Sequence, residues 1–200
     1  MENTEDMENI IQSTNKKFTD FHTHILPGMD DGATDVKMSV EMLCRLKQQG
    51  VDRVCLTPHY INHREPVKDF LARREESLSL LKDEIQKQNL WEKVPELIPG
   101  AEVAWERPLE EEDDIALLCY KDTDLLLLEM PFAKPDQTTF SVIENIAFKY
   151  SIKPVIAHLD RYVNLMDWDQ LVQVINLPEA ILQFNYCSVG FFKCGRLIKR

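Results

Sequence analysis

Six short strand-like runs, several of them rich in valine, isoleucine and leucine, recur along this chain, separated by longer amphipathic stretches. That alternation limits the fold more than any other feature. The runs lie at 18–22, 51–58, 96–105, 124–131, 153–158 and 181–186. In Leu125-Leu126-Leu127-Leu128 polar residues do not alternate with apolar ones, the pattern of a strand buried on both faces. Between the runs, Val36, Val40, Leu43 and Leu46 share one helix face, and Gly50 stands just past its end. Phe70, Leu71, Leu78, Leu81 and Ile85 repeat the pattern within 67–88, and shorter helical patterns cover 108–119, 138–150 and 167–176. Strands alternating with helices predict the α/β class, with a parallel sheet that is open or closed into a barrel. Six strands are two fewer than an eight-stranded barrel needs. The acidic run at 110–114 reads as a solvated helix face.

At 200 residues the chain suits one domain, and a chain of this size buries about 70% of its unfolded surface. The net charge of −11 argues against nucleic-acid binding, since phosphate backbones are held by lysine and arginine. Anionic substrates stay within reach if metal ions or a local arginine supply positive charge. The polar leader, residues 1–17, has no apolar run of signal-peptide length, and no segment approaches the roughly 20 apolar residues that span a bilayer. Cys44, Cys55, Cys119, Cys187 and Cys194 are scattered and odd in number, which suits a reduced, cytoplasmic protein. A cysteine phosphatase would need Cys-x5-Arg. Lys193 stands six after Cys187, and Arg200 six after Cys194 comes with no glycine-rich loop before a helix, so that mechanism is disfavoured.

In parallel α/β folds chemistry gathers at the carboxyl ends of the strands. The first run ends in His22 and His24, the second in His59, the third in Glu102, the fourth in Glu129 and the fifth in His158, with Arg161 three residues on; the sixth ends near Asn185. Four of the five histidines stand at these ends. Alternate strand residues share a face, so His22 and His24 can reach one ion. Glu129 follows four leucines, where a carboxylate with no compensating charge would pay a large desolvation penalty; a metal or a buried arginine would relieve it. Imidazole with carboxylate and no thiolate suits manganese, iron or zinc in a catalytic site. A lone loop histidine such as His63 is ordinarily structural.

The segments DFHTHILPGMDDGA (20–33), LTPHY (56–60), PGAEV (99–103), LLLEMPF (126–132) and PVIAHLDRY (154–162) together resemble the PHP family, and within it the bacterial protein-tyrosine phosphatase branch tied to capsular and exopolysaccharide synthesis. The resemblance spans 18–186 and implies a PHP-type distorted β/α (TIM-like) barrel with a multinuclear cluster of up to three metal ions, usually manganese. By motif, His22, His24, Asp31, His59, Glu102, Glu129 and His158 look like metal ligands, and Arg161 matches an arginine of the phosphate pocket. Asp160 stands where relatives often carry glutamate. The family continues past the sixth strand and adds an Asp-x-His pair, whereas this chain has no histidine after His158. The expectation is therefore a phosphatase domain over 18–200 that lacks the last family segment, leaving the barrel incomplete at its C-terminus unless a partner chain completes it.

The reaction this implies is hydrolysis of a phosphotyrosine-bearing protein, the tail of a bacterial tyrosine kinase, in the cytoplasm and without stable membrane insertion; an oligomer is compatible with the sequence. Two other readings fit the same residues. One is a small-molecule phosphatase acting on a histidinol-phosphate-like substrate, the other an inactive metal-binding remnant.

Overall fold

The computed structural model describes residues 17–104, 109 and 113–185. Among them the elements in chain order are β1 (Phe18–Thr23), α1 (Val36–Gln48), β2 (Val51–Leu56), β3 (His59–Tyr60), α2 (Val67–Lys87), β4 (Glu96–Pro99), β5 (Glu102–Ala104), β6 (Leu125–Glu129), α3 (Gln137–Tyr150), β7 (Lys153–Ile156), α4 (Trp168–Ile175) and β8 (Ile181–Leu182). The chain forms two compact units. One runs up to Pro58 and takes in Ala72–Pro99; the other holds His59–Leu71 and the chain from Gly100. Both are built on parallel sheets, in keeping with the α/β class.

The first unit carries a three-stranded sheet in the order β1-β2-β4. Val54 and Leu56 of β2 are fully buried. The carboxyl ends of β1 and β2 are joined by two buried threonines. The Thr23 hydroxyl donates to the Cys55 carbonyl at 2.6 Å, and the Thr57 hydroxyl donates to the Thr23 carbonyl at 3.1 Å. Asp35 caps α1 by accepting the Met38 N–H at 2.9 Å, and Val40 and Leu43 turn inward.

The second unit carries five parallel strands in the order β3-β5-β6-β7-β8. Leu126, Leu127 and Leu128 of β6 are all buried, as are Val103 of β5 and Val155 and Ile156 of β7. Burial on both faces explains why these runs lack polar alternation. Capping boxes start α3, from Asp136 with Thr139, and α4, from Asp167 with Gln170.

One expected strand is divided, and an additional strand, β3, starts just past another. The 51–58 run yields β2 for one sheet and leaves β3 to begin the other at His59; between them Thr57 donates its N–H to Thr23, and Pro58 has none to give a ladder. The 96–105 run divides into β4 and β5 around Gly100-Ala101. The runs at 124–131, 153–158 and 181–186 contract to β6, β7 and β8. The expected helix over 108–119 appears, among its described residues, only as a 3-10 turn at Ile115–Leu118; buried Ile115 and Leu118, three apart, suit that tighter winding. Trp105, Tyr186, Cys187, Cys194, residues 1–16 of the leader and part of the 110–114 acidic run lie outside the described residues.

Candidate metal centre

In the first unit, His22 and His24 stand at the carboxyl end of β1 with their Nε2 atoms 3.2 Å apart and their ring centroids 5.2 Å apart. The loop that follows sets the orientation of His24. Its Nδ1 lies 2.7 Å from Asp30 Oδ2, a contact that places the ring proton on Nδ1 and leaves Nε2 as a donor atom for a cation. Asp30 uses its other oxygen to accept the Gly32 N–H at 3.0 Å. The loop is closed by Ala33 N–H to the His24 carbonyl at 2.9 Å and Gly28 N–H to the Ala33 carbonyl at 2.8 Å. From α2, Arg73 donates to the Met29 carbonyl at 3.0 Å and Ser77 to the Pro27 carbonyl at 2.8 Å.

Glycine at 32 is required by this packing. A Cβ there would lie 2.0 Å from the His24 carbonyl oxygen and 2.4 Å from its Cβ. Asp31 is exposed, with a carboxylate oxygen within 4.8 Å of a His24 ring nitrogen. The carboxylate bonded to His24 is thus that of Asp30. Asp31, matched by motif to a metal ligand, has a different place from Asp30: its carboxylate is near the His24 ring without being the group bonded to Nδ1. Burial raises the Asp20 carboxyl above its ordinary range, against the pull of the His22 backbone N–H and the His22 side chain.

In the second unit, parallel register sets His59, the first residue of β3, beside Glu102, the first of β5. Glu129 ends β6, and His158 follows β7 by two residues. Glu102 and His158 are each 1% exposed, and the Glu102 Oε1 to His158 Nε2 distance is 2.9 Å. Glu102 Oε2 lies 3.2 Å from His59 Nδ1. Glu129 spans the same two rings, with Oε1 3.3 Å from His158 Nε2 and Oε2 3.7 Å from His59 Nδ1. Two carboxylates therefore each face both imidazoles. Burial by itself disfavours a charged His158, but its hydrogen bonds to the Glu102 and Glu129 carboxylates, with the charge of Glu102, outweigh it and bring its pKa up to about 9.

His158 is held in a left-handed conformation, φ 33°, which costs a residue with a side chain about 1–3 kcal/mol. Gln183 anchors it there: its side-chain oxygen accepts the His158 N–H, and its carbonyl accepts the Leu159 N–H at 2.9 Å. Tyr162 stacks on the His158 ring at 5.8 Å between centroids and donates its hydroxyl to the Met130 carbonyl. Burial, reinforced by Glu129 and Glu102, pushes the Tyr162 phenol above its usual range. Arg161 is exposed at the end of the 3-10 turn Leu159–Arg161. Asp160 accepts from both the backbone and the side-chain amide of Asn185, at 2.9 and 3.3 Å. His63 is exposed in the turn after β3. Asp30, Gly32 and Tyr162 lie within the quoted motifs without having been assigned a role, and Gln183 lies outside them with no signal of its own.

The donor chemistry fits a divalent cation. His59, Glu102 and Glu129 each offer a ligand atom within 4.8 Å of the others, all of them nitrogen or carboxylate oxygen. Such a set suits manganese, iron or zinc, and a cation replaces the protons that now separate these groups.

A family model described as capsular polysaccharide synthesis, CpsB/CapC, matches residues 18–200. The chain belongs to the CpsB/CapC family. A relative, the tyrosine-protein phosphatase YwqE of Bacillus subtilis (strain 168), is 36% identical over 149 residues, covering 71% of this chain and 54% of YwqE. The fold resembles that in the crystal structures of YwqE from Bacillus subtilis and CpsB from Streptococcus pneumoniae, described as unique metal-dependent tyrosine phosphatases. The TM-score is 0.59 at 31% identity, over 72% of this chain and 56% of that one. This CpsB/CapC chain spans a little over half the length of the relatives it matches.

Proposed function

We propose that this chain is a metal-dependent protein-tyrosine phosphatase that takes part in controlling capsular or exopolysaccharide synthesis. Its metal is manganese, its substrate the phosphotyrosine tail of a bacterial tyrosine kinase, and its compartment the cytoplasm. One observation carries the reading: Glu102 and Glu129 each stand between His59 and His158, with Glu102 almost wholly buried. An acid is not buried this way without compensation, and a cation compensates it more fully than imidazole. The names of the relatives supply the reaction. Among the described residues no helix is long and apolar enough to cross a membrane.

In this mechanism His59, Glu102, Glu129 and His158 would hold metal in the second unit, and His22, His24 and Asp31 would be metal ligands of the first. Divalent ions held there would supply an acidified water near neutral pH and positive charge for the phosphate. Gln183 and Tyr162 keep the His158 ring in place, as Asp30 does for His24. Arg161 binds the equatorial phosphate oxygens, whose charge grows in the transition state. A tyrosine phenolate, with a pKa of about 10, leaves without a strong general acid.

The test is elemental analysis of the purified protein together with turnover of a phosphotyrosine peptide under added manganese. At least one equivalent of metal and hydrolysis faster than that of histidinol phosphate are expected. Glu129→Gln, nearly isosteric, is expected to lose metal and turnover while keeping its far-UV circular dichroism. Less than one equivalent with no aryl phosphate hydrolysis would sink the reading.

A further inference from the structure

A cavity of about 590 Å³ in the second unit opens beside Glu129 and continues along Met130, Pro131, Phe132 and Pro135 to Tyr162. We propose that this cavity is the leaving-group pocket of the site, and that Phe132 is the wall that selects an aromatic phosphate ester over an alkyl one. The inference rests on the phosphatase reading above and adds to it the residue that sets specificity for the leaving group.

Three observations support an aromatic ring as the occupant. The first is continuity: Glu129 lies in the lining, so a ring seated in the cavity carries its phosphate toward the carboxylate–imidazole cluster. The second is the state of the polar groups around the cavity. Asp136 accepts the Thr139 N–H at 2.9 Å and the Thr139 hydroxyl at 3.1 Å, so the start of α3 is already capped. Lys134 is 3.0 Å from Asp167, and the Tyr162 hydroxyl is committed to the Met130 carbonyl. A phosphate or carboxylate would have to displace these partners, whereas a ring leaves them in place. The third is Phe132 itself, 75% exposed yet 6.0 Å from the Tyr162 ring at 57° between planes. An exposed phenyl that already contacts one ring at a tilt can receive a second in the offset or edge-on geometry aromatic pairs prefer. The cavity volume falls within the few hundred to a thousand Å³ of small-ligand pockets.

The test compares kcat/KM for phosphotyrosine and for glycerol 2-phosphate in the intact, manganese-loaded protein. In Phe132→Ala the aryl-to-alkyl ratio is expected to fall about tenfold, the scale of a lost aromatic pair with its burial, and Phe132→Tyr to restore it. An unchanged ratio, or equal loss on both substrates, would overturn the pocket assignment while leaving the phosphatase reading intact. If the wild-type protein hydrolyses neither ester, the phosphatase reading fails, and saturation-transfer NMR with benzylphosphonate decides the pocket alone. Saturation of the benzyl ring protons by wild-type protein but not by Phe132→Ala upholds it; no saturation by wild-type protein refutes it.

Discussion

Replacing Gly32 by alanine tests how the loop after β1 holds His24. The added Cβ would sit 2.0 Å from the His24 carbonyl oxygen, 2.4 Å from its Cβ and 2.8 Å from its carbonyl carbon. None of these atoms belongs to a flexible side-chain end, so backbone must move. The carbonyl has to retreat by more than about 1 Å to reach even a short nonbonded contact. It is the acceptor for the Ala33 N–H at 2.9 Å, and the Gly32 N–H is held by Asp30 at 3.0 Å. Losing both hydrogen bonds at about 1 kcal/mol each, with some residual strain, gives a destabilisation of about 2–4 kcal/mol. Gly28 supplies the control. It has φ 64°, but its nearest obstacle is the Thr34 carbonyl at 3.9 Å, so Gly28→Ala pays only the left-handed penalty of about 1–2 kcal/mol. Urea unfolding of the two variants beside the parent, followed by circular dichroism, reads the difference. If Gly32→Ala proves no less stable than Gly28→Ala, the close packing of Gly32 on His24 is not what shapes this loop.

Other predictions follow from local environments. Burial first, then Asp20, pushes the Cys55 thiol up to about 12, and burial with Asp124 pushes Cys119 up to about 11. A raised thiol pKa means almost no thiolate at pH 8, so iodoacetamide is expected to label partly exposed Cys44 ahead of both, as mapped by mass spectrometry; faster labelling of Cys55 would contradict its buried setting. Asp136→Ala removes the α3 capping box and is expected to cost about 1 kcal/mol in urea unfolding, while Asp136→Asn costs far less; equal losses would mean that the cap is not the source. On the proposed mechanism, Arg161→Ala lowers kcat/KM for a phosphotyrosine peptide about a hundredfold, with lysine recovering part of the loss. An unchanged kcat/KM would take Arg161 out of the phosphate pocket.

The chain's α/β class was legible because buried parallel strands leave a local signature, runs such as Leu125–Leu128 with no polar alternation. Glu129 was legible for the same reason, as a carboxylate closing an apolar run. The points at which strands change sheet were not. Pro58 marks a break between Val51–Leu56 and His59–Tyr60, but nothing local assigns the two to different sheets, because pairing partners are chosen by contacts far along the chain.

By itself, then, the sequence determined the α/β class, the helices near 36–48, 67–87, 137–150 and 168–175 and, through its motifs, the family; His59 and Glu102, expected at the carboxyl ends of strands, instead begin β3 and β5. The tertiary structure alone decided which of those residues meet. It set Glu102 beside His59 through the β3–β5 register, bonded His24 to Asp30, and brought Gln183 from beyond α4 to fix the strained His158. Periodicity is a property of neighbours along the chain, whereas register, loop closure and the pairing of buried charges depend on groups dozens of residues apart.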